Sequence, residues 1–275
     1  MSLVGVVQMT SGPSVEENLT TLETHVAQLA QQGVQWIVTP ENVLLLSDAT
    51  AYHEHAEWLG KGPVQEQLAT LAQRYGVWLL IGSFPIRREQ GVTTTSLLLD
   101  STGQCQATYD KLHMFDVDVA DAHHRYRESD TFLPGERIVV KDTPFGQLGL
   151  SICYDLRFPQ LFSELRRQGA QIIIVPAAFT AVTGRAHWEA LLRARAIETQ
   201  CWVIAAGQTG THPCGRQTWG HSMVVDPWGH IVSHLEQNTG SLVVDIDTQR
   251  LSDIRQAMPI IEQSRFCNQL QSIKS

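Results

Sequence analysis

Three short stretches of this chain carry residues suited to nucleophilic and acid–base chemistry. The first is Gly146 to Pro159, G-Q-L-G-L-S-I-C-Y-D-L-R-F-P, in which the apolar run 148–152 leads into Cys153 and a polar turn follows. A thiol at the end of a buried strand, just before a helix, reaches a cleft from rigid backbone, where nearby amides can donate to a developing oxyanion. It is equally the setting of a small buried hydrophobe, the ordinary fate of a free cysteine. The second stretch is Pro40-Glu41-Asn42, directly after the apolar run Trp36-Ile37-Val38. A carboxylate there is poorly solvated, which raises its pKa toward the range of a useful base; read by itself the segment fits an exposed loop glutamate better. The third is Tyr109 to Asp116, where Lys111 stands among aromatic and apolar neighbours. Such a lysine either snorkels to solvent or presents a fixed positive charge to a cleft.

Positioning these groups requires strand ends, and the chain alternates short apolar strands with helical patterns throughout. Strands are predicted over 3–9, 36–40, 77–84, 95–100, 148–153, 172–176, 202–206, 222–225 and 241–245. Continuous β-branched runs such as Ile172-Ile173-Ile174-Val175 suit strands covered on both faces. The clearest helix starts at Ser14, with Glu17 three residues on as a capping pair. Val15, Leu19, Leu22, Val26, Leu29 and Ala30 form its apolar face, and Gly33 ends it. Further helices are predicted over 63–75, stopped by Gly76, over 160–168, stopped by Gly169, and over 187–199. A short helical segment follows Asp247. No linker or repeat divides the chain, so residues 1–275 read as one α/β layered domain with a C-terminal tail from about 258.

Composition narrows the function classes. The chain has 275 residues, 43% of them hydrophobic and 17% charged, enough to bury a sizeable core. A formal net charge of -8 argues against general affinity for nucleic acid or anionic membranes. Five cysteines without C-x-x-C spacing suggest neither a disulfide framework nor a zinc cluster. No charged and apolar leader precedes Leu3, and no apolar run approaches the ~20 residues of a membrane span. These features point to a cytoplasmic setting. His53, His55, His123, His124 and His212 lack metal-ligand spacing and read as surface positions. Cys105, Cys201, Cys214 and Cys267 read as packing or surface thiols, and no phosphate-cradling glycine motif follows a strand. No metal and no cofactor is called for.

Taken together, P-E-N, D-K-x-H and I-C-Y-D-x-R-F-P in this order resemble the nitrilase superfamily of carbon–nitrogen hydrolases. The resemblance runs from the strand around Gln8 to the Trp228-Gly229 turn. It implies a four-layer αββα sandwich, a homodimer and a Glu–Lys–Cys triad. Carried onto this chain, Glu41 is the general base, Lys111 the cation that stabilises the tetrahedral intermediate, and Cys153 the nucleophile. Tyr154 contributes a backbone N–H to the oxyanion, and Glu128 is a second glutamate beside the lysine. The stretch 178–189 resembles a substrate loop, with Phe179 and Thr180 lining the pocket and Arg185 standing where relatives usually carry proline. Residues 193–200 and 220–229 resemble the branch acting on deaminated glutathione, whose members cut the side-chain amide between 2-oxoglutarate and Cys-Gly. The related ω-amidases, which take 2-oxoglutaramate, share several of these motifs. N-carbamoyl amino acid hydrolases, simple nitrilases and a non-catalytic binding member remain alternatives. A small amide with an α-keto acid end needs a cationic anchor. Arg157 is the candidate for its two-pronged grip on carboxylate; a structural salt bridge to Asp155 or a helix carbonyl is the competing role.

Overall fold

A computed structural model describes residues 2–121, 123–266 and 268–269. Two mixed sheets form the centre. The first runs in the order Gly240–Ile246, Ser2–Gln8, Trp36–Val38, Trp78–Arg88, Gly91–Leu99 and Cys105–Asp110, with Glu57–Trp58 pairing on Trp78–Arg88. The second runs Ile231–His234, Met223–Val225, Trp202–Gly207, Ile172–Ala177, Gly146–Leu150 and Val140–Thr143. In each sheet three central strands are parallel and the flanking ones antiparallel. The parallel strands carry continuous apolar runs of the sequence, as suits strands covered on both faces; the antiparallel Gly91–Leu99 and Met223–Val225 are buried as well.

One face of the first sheet packs on the helices Val15–Gln31 and Pro63–Tyr75 through Leu22, Val26, Leu29, Leu68 and Leu71. Its other face meets the second sheet, with Val4, Val6, Trp36 and Leu80 in one cluster with Leu148, Leu150 and Ile174. The helices Pro159–Arg167 and Ala181–Thr199 cover the far face of the second sheet through Phe162, Leu165, Trp188 and Leu192. The layers are therefore helix, sheet, sheet, helix.

Local signals account for much of this. Ser14 Oγ accepts from Glu17 N at 3.3 Å, and Gly76 ends its helix in the left-handed conformation at φ 62°, which glycine adopts without strain. The sequence-based strand over 148–153 is shorter in the structure. It stops at Leu150, and Cys153 opens a 3-10 turn, Cys153–Arg157. The predicted helix at 187 begins six residues earlier, at Ala181, so most of the stretch read as a substrate loop is helical. Val182, Thr183 and Gly184 are poor helix formers, which hides the start. Packing overrides them: a Cβ on Gly184 would lie 2.3 Å from Trp219 Cβ. Strands at Cys105–Asp110 and Val140–Thr143 are additional, with mixed polar patterns typical of sheet edges.

Two further sequence expectations change. His212 is buried, not on the surface; its Nδ1 lies 2.8 Å from Ser11 O and its Nε2 2.8 Å from Thr218 Oγ1. Burial holds its pKa below the ordinary histidine value. Within the C-terminal tail the structure has a short helix, Ile260–Gln263; Cys267 and residues 270–275 lie outside the described residues. Among the described residues no helix is long and apolar enough to cross a membrane.

Candidate active site

Glu41, Lys111, Cys153 and Glu128 meet in one cavity of about 380 Å³. The first three side chains reach it from the carboxyl ends of strands in both sheets, the common place for a site in open α/β folds. Glu41 follows Trp36–Val38 through Thr39 and Pro40. That backbone runs so close to the neighbouring strand that a Cβ at Gly82 would fall 2.3 Å from both Thr39 O and Pro40 O. Asn42, next to Glu41, is left-handed at φ 56°, held by Asn42 N donating to Ser83 Oγ at 2.8 Å. Lys111 immediately follows Cys105–Asp110, with its N–H on Thr94 O.

Cys153 has φ 49°, a left-handed conformation that costs a non-glycine residue about 1–3 kcal/mol. Neighbouring bonds hold it there. Ser151 Oγ donates to Ile174 O at 2.8 Å, and Ile152 N to Asp155 Oδ2 at 2.9 Å. Asp155 also accepts from Tyr109 O–H at 2.7 Å and from His113 N at 3.1 Å, and its Oδ1 lies 2.7 Å from His113 Nδ1. Tyr109 and His113 flank Lys111, so one fully buried carboxylate fixes the cysteine turn to the lysine segment. Asp155 therefore makes no salt bridge to Arg157, and His113 acts on Lys111 only through its backbone neighbours, stacked on Phe158 at 3.6 Å.

The charges form a compact set. Lys111 Nζ donates to Glu41 Oε1 at 2.8 Å and to both Glu128 oxygens at 2.9 and 2.8 Å. Glu41 Oε2 accepts from Ala178 N at 2.7 Å, tying the first sheet to the second, and Glu128 Oε2 accepts from Phe115 N at 2.7 Å. Glu41 is 2% exposed, Lys111 1% and Cys153 5%. Burial pushes the Glu41 carboxyl up, but its ion pair with Lys111, aided by Arg216, prevails and holds it below the usual carboxylate range. Burial, together with the charge of Glu41, pushes Glu128 up despite Lys111. Burial would lower Lys111; the two carboxylates overcome that and hold it above its ordinary value. Burial and the adjacent Glu41 charge push the Cys153 thiol well up. The resting site is thus an ionised Glu41 beside a protonated thiol. That pairing suits a base that takes a proton as the sulfur attacks.

The other sequence candidates fall in two groups. Tyr154, Phe179 and Thr180 line the cavity. Tyr154 N is the second N–H of its 3-10 turn, a position without a partner inside the turn. Phe179 packs on Trp188 at 5.0 Å between centroids, and Thr180 Oγ1 lies 2.7 Å from Thr183 Oγ1. Arg157 is not in the lining. Its guanidinium stands 5.0 Å from the Phe179 ring centroid and 5.9 Å from that of Tyr154, with Nη1 3.2 Å from His187 Nδ1. It braces two rings that do face the cavity. A cation that sequence reasoning missed is Arg216, which lines the cavity and donates from Nη2 to Ala178 O at 2.7 Å. A lone arginine in a turn rich in Gly, His and Pro carries no signal of its own. Among the described residues no cluster of His, Cys, Asp and Glu is arranged to hold a metal ion.

The chain is similar to known proteins over nearly its whole length. The carbon–nitrogen hydrolase family model matches residues 3–256. A deaminated glutathione amidase of Yersinia enterocolitica is 52% identical over 270 residues, covering 97% of this chain and 94% of the relative. The human deaminated glutathione amidase is 39% identical over 272 residues, covering 96% of this chain and 83% of the relative. Among solved structures, Saccharomyces cerevisiae Nit3, a member of branch 10 of the nitrilase superfamily, superposes with a TM-score of 0.86. It is 29% identical, with coverage of 96% of this chain and 97% of that one.

Proposed function

The chain belongs to the carbon–nitrogen hydrolase family, and we propose that within it this protein hydrolyses deaminated glutathione to 2-oxoglutarate and Cys-Gly through a cysteine thioester. The observation that carries the chemistry is Lys111 Nζ, 2.8 Å from Glu41, in the same cavity as the Cys153 thiol. The substrate assignment rests on the relatives of that activity across nearly the full chain.

In this reading Glu41 accepts the thiol proton as Cys153 Sγ attacks the amide carbonyl carbon. The oxyanion is held by Lys111 and by Tyr154 N–H, each such donor being worth about 10²–10³ in rate. Collapse of the tetrahedral intermediate breaks the C–N bond, and Glu41 returns the proton to the departing Cys-Gly amine. Water then attacks the thioester, giving its proton to Glu41, and 2-oxoglutarate leaves as the thiol is reprotonated. Glu128 keeps Lys111 pointed at the reacting carbonyl. A cavity of about 380 Å³ lies in the range that encloses a small molecule of this size. The same reading carries a homodimer, which light scattering tests, and a cytoplasmic setting.

The decisive measurement compares kcat/KM for deaminated glutathione and for 2-oxoglutaramate. Deaminated glutathione should be preferred, and mass spectrometry should capture an acyl adduct on Cys153 that C153A lacks. A clear preference for 2-oxoglutaramate would make the protein an ω-amidase with the same machinery. No adduct and no turnover of any amide would leave only a binding role.

A further inference from the structure

Arg216 is a cavity-lining cation to which the reaction above gives no contact with the substrate. It sits at the end of the turn joining the strands Thr209–Thr211 and Gln217–Trp219. Its Nη2 donates to Ala178 O, its guanidinium lies 5.5 Å from the Tyr126 ring centroid, and its buried Nε has no hydrogen-bond partner among the described residues. Glu41, the acid that acts on it most strongly, is already occupied by Lys111 and Ala178 N. A cavity-lining guanidinium with no carboxylate of its own among the described residues is the natural partner of an arriving anion with a planar pair of oxygens.

The direction of the chemistry says which anion. Glu41 must return a proton to the departing nitrogen, so the leaving half of the substrate lies on the Glu41 side of Cys153. Ala178 joins the two groups: its N–H is on Glu41 Oε2 and its carbonyl is on Arg216. Two residues of extended chain reach about 7 Å, enough to carry a terminal carboxylate from the scissile nitrogen to a neighbouring guanidinium. We propose that Arg216 binds the terminal carboxylate of the leaving dipeptide and so selects a peptide-like leaving group over ammonia. This rests on the function proposed above and names the part of the cavity that gives it its preference.

The test uses three substrates: deaminated glutathione, its C-terminal carboxamide analogue, and 2-oxoglutaramate, which has no dipeptide. R216Q should raise KM for deaminated glutathione about 10- to 100-fold, the span expected for losing a hydrogen bond to a charged group. Its kcat/KM for 2-oxoglutaramate should stay within about threefold of wild type. The carboxamide analogue should already be poor for the wild type and lose little more in R216Q, and R216K should recover part of the loss. A fall in kcat of equal size on all three substrates would overturn the proposal, since it would mean that Arg216 only tunes Glu41 and Cys153. If R216Q is poorly folded by circular dichroism, R216K against the carboxamide analogue separates the same two outcomes. A wild type without preference for deaminated glutathione overturns the function itself. An intact preference that R216Q leaves unchanged overturns only the role of Arg216.

Discussion

Replacing Lys111 by methionine separates a structural lysine from the charged keystone seen here. Methionine keeps most of the stem and removes the ammonium that bridges Glu41 and Glu128 at 2.8–2.9 Å. Removing one partner of a buried ion pair costs about 3–5 kcal/mol, because the other charge is left uncompensated. For a chain of this size that is a fall in Tm of about 6–20 °C. The loss should depend on pH with a definite sign. In the wild type, Glu41 is held below its ordinary 4.5, so it contributes stability above that pH, and the contribution fades as pH falls through its folded pKa. Without Lys111, burial raises Glu41 above 4.5 and Glu128, already raised, further still, and the folded state then binds more protons than the unfolded state. The penalty therefore grows as pH rises above about 4.5. Urea unfolding at pH 5 and pH 8, followed by tryptophan fluorescence, should give a larger wild-type-minus-K111M difference at pH 8. A difference below about 1 kcal/mol at pH 8, or one equal at the two pH values, would refute a buried Lys111 between two carboxylates.

Other consequences are equally direct. Burial and then the Glu41 charge push the Cys153 thiol up, so E41Q should lower that pKa while Lys111 and Arg216 remain. The pH profile of Cys153 alkylation by iodoacetamide should shift to lower pH in E41Q, although hydrolysis falls about 10²–10⁴-fold; an unshifted profile would show that Glu41 does not face the thiol. Y109F removes one of the bonds to buried Asp155 and leaves the other donors in place. It should cost about 1.5–3 kcal/mol in chemical denaturation and lower kcat more than it changes KM; a cost under about 0.5 kcal/mol would remove Asp155 as the clamp between the cysteine turn and Lys111.

Much of the architecture is legible locally. The helix Pro63–Tyr75 is bounded by a proline and a glycine at the residues the sequence marks, and the buried parallel strands announce themselves as unbroken apolar runs. These are short-range signals, set by backbone sterics and by which side of a segment must leave water. What resists local reading is whatever packing decides. The helix at Ala181 starts among poor helix formers because Gly184 lies against Trp219, and His212 is buried because Ser11 and Thr218 satisfy both ring nitrogens.

The site divides in the same way. Glu41, Lys111 and Cys153 are named by residue type, order and position at predicted strand ends, although each taken singly fits a surface acid, a snorkelling lysine or a buried thiol. Only the two-sheet fold brings the ammonium within 2.8 Å of the carboxylate across 70 residues of chain. Removal from water then couples their protonation and gives the thiol its neutral resting state. Arg216 and Asp155 enter by the same route. A guanidinium becomes a candidate anchor, and a turn aspartate a clamp, only when distant strands place their partners, because charge in a protein acts through space and desolvation rather than along the sequence.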